Sequence, residues 1–156
     1  MVKVIFNISK TNKIASYAIK LGRQSVLSQE KALLQIIKEN EHFLIDIVTA
    51  QLLNGKDGEG EFLQAYRSEN YAEMKRHLNP KGVTDLRLTG DFWDGFFVTA
   101  NKFPIVINSK DDKRDELVKK YGQAIFFPSQ EGKTFFLQHI EKELKEYYRS
   151  VYSATN

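Results

Sequence analysis

Between Ser28 and Asn54 the residues Leu33, Leu34, Ile36, Ile37, Phe43, Leu44, Ile47, Val48, Leu52 and Leu53 recur at spacings of three and four, the repeat of one helix face. Ser28 stands where an N-cap belongs. This stripe predicts one long amphipathic helix and makes it the element on which the rest must pack. Each of its large side chains contributes roughly 1.5–3 kcal/mol when fully buried. A partner surface of matching size is therefore required elsewhere in the chain.

The segment Asn54-Gly55-Lys56-Asp57-Gly58-Glu59-Gly60-Glu61 ends that stripe. Three glycines among charged residues predict a flexible loop over 54–61 that buries nothing. It falls short of a calcium loop, because the full alternation of oxygen ligands and the distal Glu are missing. Phe62, Leu63, Tyr66, Tyr71, Met74 and Leu78 then line one side of an irregular or partly helical arm, closed by a turn at Asn79-Pro80-Lys81-Gly82. Phe96 to Ala100 and Phe103 to Ile107 are short β-prone runs that predict a hairpin or meander, with Pro104 at the start of the second strand or on an edge. Asp111 or Asp112 is expected to cap a short helix through Leu117, Val118 and Tyr121, stopped by Gly122. After the apolar stretch Ala124 to Phe127, Pro128-Ser129 signals a last helix over about 129–153. Phe135, Phe136, Ile140, Leu144, Tyr147, Tyr148 and Val151 lie on one side of it. The expected fold is α+β: long N-terminal helices and a C-terminal helix packed on a small antiparallel sheet.

A chain of 156 residues suits one domain, here 1–156, and 42% apolar with 12% aromatic residues is enough to close a core unaided. There is no Cys, which excludes disulfides, thiolate metal sites and cysteine nucleophiles. The start of the chain, Val2 to Ile8, reads as a short strand. It is too interrupted by Lys3 and Asn7 for a signal peptide. No apolar run is long enough to span a membrane. A second helical pattern, Ile14, Tyr17, Ala18 and Leu21, stops at Gly22.

Charge is uneven. Lys3, Lys10, Lys13, Lys20 and Arg23 precede the first acid, Glu30, so residues 1 to 29 carry +5 and the remainder −2, from 18 bases and 20 acids. This basic N-terminal segment, residues 1–27, reads either as a solvated helix face or as a contact for nucleic acid or an acidic neighbouring subunit. A nucleic-acid-binding accessory protein using these five bases on phosphates is the alternative functional expectation.

Catalytic signals are sparse. His42, His77 and His139 form no ligand pair at metal spacing. Asp85, Asp91 and Asp94 could converge as an acid/base pair or magnesium site. Asp91 reads better as a cap, following Thr89-Gly90 where a turn opens into a helix. No glycine-rich nucleotide motif, nucleophile elbow or zinc-protease signature occurs. The expectation is a protein that is not an enzyme and carries no cofactor.

The run Leu88-Thr89-Gly90-Asp91-Phe92-Trp93-Asp94-Gly95-Phe96 is followed by Ile105-Val106-Ile107-Asn108-Ser109-Lys110-Asp111, then Leu117-Val118-Lys119-Lys120-Tyr121-Gly122 and Ile125-Phe126. In this order the segments resemble a family of small proteins encoded in tailed bacteriophages and mobile elements of gut Bacteroidetes. The resemblance covers roughly residues 45 to 130. Pro128-Ser129 departs from it, standing where members often continue with Gly-Leu. It implies a virion structural protein, assembled in the host cytoplasm, of head-tail connector or tail-completion type. Such a part forms a homo-oligomeric ring against portal, connector or tail proteins, with genomic DNA as a further contact in the channel and no membrane partner. The residues carried over as signature or interface positions are Thr89, Gly90, Asp91, Phe92, Trp93, Phe96, Tyr121, Gly122 and Phe126. Lys3, Lys10, Lys13, Lys20 and Arg23 are the candidate DNA or subunit contacts.

Overall fold

The computed structural model describes residues 26–87 and 89–153. The expected strand at Val2 to Ile8, the helical pattern at Ile14 to Leu21 and the five N-terminal bases lie outside the described residues. The fold is α+β. In chain order the elements are α1 (Val26–Glu39), α2 (Glu41–Leu53), α3 (Glu69–Leu78), the one-turn α4 (Asp91–Asp94), β1 (Phe96–Thr99), β2 (Val106–Ser109), α5 (Arg114–Tyr121), a 3-10 turn (Gln123–Phe126) and α6 (Gln130–Ser153).

The long helix expected after Ser28 is two helices, and it begins earlier, at Val26. The chain bends at Asn40, where φ is −104° and ψ 19°. Helical bonding continues through the joint, from the Asn40 amide to the Ile36 carbonyl and from Leu44 to Asn40. The cause lies in the side chain. Asn40 Nδ2 donates to the same Ile36 carbonyl at 2.9 Å and to Glu143 on α6 at 2.9 Å, while Oδ1 meets His139 Nε2 at 3.1 Å. A polar group inserted beside the backbone ladder bends a helix, and here the inserted group is held by α6.

β1 and β2 form an antiparallel hairpin in the register Phe96↔Ser109, Phe97↔Asn108, Val98↔Ile107 and Thr99↔Val106. Alternation follows the pleat: Phe96, Val98, Ile107 and Ser109 are buried, while Thr99 faces out. The second strand starts at Val106 rather than at Pro104, which lies in the connection. α2 packs on β1 and, with α1, on α6. The core between them holds Ile37, Leu44, Val48, Leu52, Ile105, Ile107, Ile125, Phe126, Phe136 and Ile140.

α6 starts where Pro128-Ser129 predicts, with Ser129 Oγ accepting from the Gly132 amide at 3.1 Å. Gln51 fixes the approach: its Nε2 donates to the Phe127 carbonyl at 3.0 Å and its Oε1 accepts from the Ser129 amide at 2.7 Å. Phe135, expected on the inner stripe, is 55% exposed.

The 54–61 loop differs from the expectation that it buries nothing. Gly55 is buried, and the Gly58 amide donates to the Ala124 carbonyl at 2.9 Å. A Cβ on Gly58 would lie 2.3 Å from Cβ of Phe127, so only glycine permits this approach. Lys56 and Phe62 form a β-bridge, and Asp57 Oδ1 accepts from the amides of Glu59 and Glu61 at 2.9 and 3.0 Å.

Candidate functional site

α3 carries the least expected side chain in the molecule. Ser68 caps it, accepting from the Tyr71 amide. The apolar pattern Tyr71, Met74, Leu78 points to an apolar inner face, yet Met74 and Leu78 are exposed and Lys75 is buried. The helix is turned so that Tyr71, Lys75 and Asn79, one turn apart, face inward.

Lys75 Nζ lies 2.7 Å from Asp85 Oδ1, each side chain only 2% exposed. Lys75 also donates to the Arg87 carbonyl. The Asp85 carboxylate accepts from Tyr66 Oη at 3.3 Å, from the Arg87 amide at 3.0 Å and, through Oδ2, from Asn79 Nδ2 at 3.1 Å. Asn79 in turn donates to the Leu53 carbonyl at 3.2 Å and accepts from the Lys81 amide at 3.1 Å. Burial, reinforced by the Asp85 charge, pushes the Tyr66 phenol well above its ordinary value, although its hydrogen bond to the Asp85 backbone opposes this. Four donors on one carboxylate satisfy the condition under which a buried charge is tolerated. The network ties the end of α2, the extended arm and α3 to the strand of chain leading into α4. Asp85 is thus a structural centre and does not converge with Asp91 or Asp94, which are both exposed.

The Thr89-Gly90 turn follows. Gly90 has φ +110°, accepts from the amides of Trp93 and Asp94, and caps α4 without any side-chain bond. Asp91 does not cap free amides as expected. Its Oδ2 instead accepts from Thr89 Oγ1 at 2.6 Å, within the turn itself. Ser109 Oγ donates to the Phe92 carbonyl at 2.8 Å and staples α4 to the end of β2. Phe92, Phe96 and Phe126 form a buried triad with ring centroids 5.0–5.8 Å apart, so these three signature residues build core. Trp93 is half-buried under the Arg87 guanidinium, 5.3 Å from its ring. Asp111 Oδ1 accepts from the Lys113 amide at 2.7 Å in the turn before α5, whose own N-cap is Lys113. α5 ends at Gly122, at φ +81°, as its sequence predicts.

Thr89, Gly90, Phe92 and Tyr121 come together with Tyr66 and Tyr71 on a groove of about 450 Å³ between the arm, the Thr-Gly turn and α5. Asp91, Trp93, Phe96, Gly122 and Phe126 do not line it. Tyr66 and Tyr71 meet edge to face at 4.9 Å, and Lys120 lies over the Tyr121 ring at 4.7 Å. Burial pushes the Tyr71 phenol upward, Asp85 and Tyr121 add to this, and Lys120 opposes it. Arg67, Arg87, Lys113 and Lys120 border the groove, against Asp111 and Glu116. Among the described residues none of these four cations has an ion-pair partner.

A second, larger groove of about 820 Å³ runs between α2 and α6, walled by Phe43, Ile47 and Phe135. His139 stacks on Phe43 at 3.9 Å beside it. Among the described residues no group of His, Asp and Glu is arranged to hold a metal ion, and no helix is long and apolar enough to cross a membrane.

Comparison of the chain with protein-family models, with curated proteins and with solved structures gives no match.

Proposed function

We propose that the chain is a structural component of a tailed-phage particle, a ring-forming subunit of head-tail connector or tail-completion type. It works by docking against copies of itself and against portal, connector or tail proteins, in a virion assembled in the host cytoplasm. Catalysis and cofactors have no part in this reading.

The observation that carries it is where the large apolar side chains remain uncovered. Phe62 is 70% exposed, Leu78 62% and Phe135 55%, on the loop edge, on α3 and on α6 respectively, although the core beneath them is closed. Phe135 is exposed where it walls the groove between α2 and α6 with Phe43 and Ile47, and an apolar surface of that kind favours a protein partner. The spread of Phe62, Leu78 and Phe135 over three elements suits a subunit with more than one neighbour, as a ring within a particle requires. The sequence resemblance supplies the class of particle.

The test is the mass of the purified protein by light scattering, with electron-microscope images, alone and together with extracted connector components. Closed rings are expected. A strictly monomeric particle under both conditions refutes the proposal.

A further inference from the structure

We infer that the groove between Tyr66, Tyr71 and Tyr121 receives the acidic 57–61 loop and Phe62 of a second copy of this chain. The inference rests on the self-assembly part of the proposed function and names the contact that makes it.

Three observations meet here. The groove carries four cations against two carboxylates, a net charge of +2, and its cations are unpaired among the described residues. One of its two carboxylates, Asp111, is already engaged by the Lys113 amide. Residues 57–61 carry one Asp and two Glu, a net charge of −3, with Glu59 and Glu61 exposed and free of any ion pair among the described residues. The two surfaces are opposite in sign, which favours encounter and fixes orientation.

The loop is also shaped in advance. Asp57 holds the amides of Glu59 and Glu61, Gly58 is bonded to Ala124, and the Lys56–Phe62 bridge closes the base. A segment already ordered loses little freedom on docking. Phe62, beside the two glutamates, is the most exposed large apolar side chain described. A large apolar side chain that fills a pocket can anchor an interface, and the groove offers Phe62 apolar wall at Leu86, Phe92 and Leu117.

A single-stranded nucleic acid would need the tyrosine faces for its bases. Tyr66 and Tyr71 meet edge to face, nearly perpendicular, and Lys120 lies over one face of Tyr121, so the rings do not stand as a parallel stacking platform. The surface thus fits carboxylates and a phenyl ring better than stacked bases.

The experiment uses the full chain in two charge-reversed forms, Glu59→Lys with Glu61→Lys, and Lys113→Glu with Lys120→Glu. All four residues are exposed, and far-ultraviolet dichroism with thermal melting checks that both forms fold. Each form alone is expected to remain monomeric where the wild type assembles, and an equimolar mixture is expected to reassemble, since each reversed surface then meets an opposite one. A closed dimer restored by mixing would support this contact while rejecting the ring. Wild-type rings that persist in both reversed forms would overturn the inference and leave the ring reading standing. Loss of single-stranded oligonucleotide binding in the Lys113→Glu, Lys120→Glu form, with assembly unchanged, would overturn it in favour of nucleic acid.

Discussion

Replacing Lys75 by Met removes one charge from a site that water does not reach. Asp85 then keeps three donors, from Tyr66, Asn79 and the Arg87 amide, but loses its counter-charge at 2.7 Å. Breaking a buried pair from one side costs about 3–5 kcal/mol. The three surviving donors place Lys75→Met near the low end, about 3 kcal/mol. Asp85→Leu is worse, because Lys75 would keep only the Arg87 carbonyl and the Tyr66 ring 6.0 Å away. It belongs near about 5 kcal/mol. For a chain of this size the melting temperature falls by about 2–4 °C per kcal/mol, giving losses of about 6–12 °C and about 10–20 °C respectively. The double variant Lys75→Met with Asp85→Leu leaves no unpaired charge and should be more stable than either single one, a coupling that a double-mutant cycle in urea measures directly. A Lys75→Met loss below about 1 kcal/mol, or a double variant as unstable as the sum of the singles, would refute the reasoning that this pair is buried and mutually dependent.

Gly90→Ala is expected to cost about 1–3 kcal/mol, since a Cβ at φ +110° is strained and would also press on Asp94 Oδ2 at 3.3 Å. Gly122→Ala, at φ +81° and ψ 174°, a region essentially confined to glycine, should also cost about 1–3 kcal/mol although the space around the new methyl is open; a melting temperature equal to that of the wild type would contradict this. The phenol of Tyr66 is raised in the folded state, chiefly by burial, so its contribution to stability is full below about pH 10 and is lost as pH climbs through the folded value. Urea midpoints from pH 9 to 11 should fall less steeply for Tyr66→Phe than for the wild type, with Tyr71 and Tyr148, also raised mainly by burial, keeping some slope in both. Changing Lys3, Lys10, Lys13, Lys20 and Arg23 to Gln should weaken duplex DNA binding at low salt and flatten its salt dependence, each lost phosphate contact removing about one unit of slope. Unchanged binding would dismiss that segment as the contact.

The parts of this fold that could be read in advance are those where a residue acts on its own neighbours. Gly122 stops α5 through its own backbone, Ser129 caps α6 three residues on, and the short β-prone runs around Val98 and Ile107 pair as a hairpin. Leu44, Val48 and Leu52 are buried where their helical spacing puts them. What escaped depends on partners far away in the chain. Asn40 bends its helix because Glu143 and His139 hold its amide, and nothing within a turn of Asn40 announces them. Lys75 faces inward because Asp85 awaits it, and a lysine amid Tyr71, Met74 and Leu78 reads as an ordinary solvated residue until that partner is placed. The 54–61 loop looked solvated for the same reason: the carbonyl of Ala124 and the side chain of Phe127, which receive Gly58, are more than sixty residues on. The site was half visible. The Thr-Gly turn and Tyr121 could be singled out, whereas the contribution of Tyr66, Arg67 and Arg87 to the same groove needed the arm to be folded back.

The side chain of Gln51 grips the chain on both sides of Pro128, immediately before a helix of 24 residues. At 1.5 Å per residue that rod is about 36 Å long, so a tilt of roughly 5° at its root would swing Ser153 by about 3 Å. The Gln51 carboxamide sets where the shaft begins, while Phe136, Ile140 and Leu144, buried against the rest of the core, hold its line farther along.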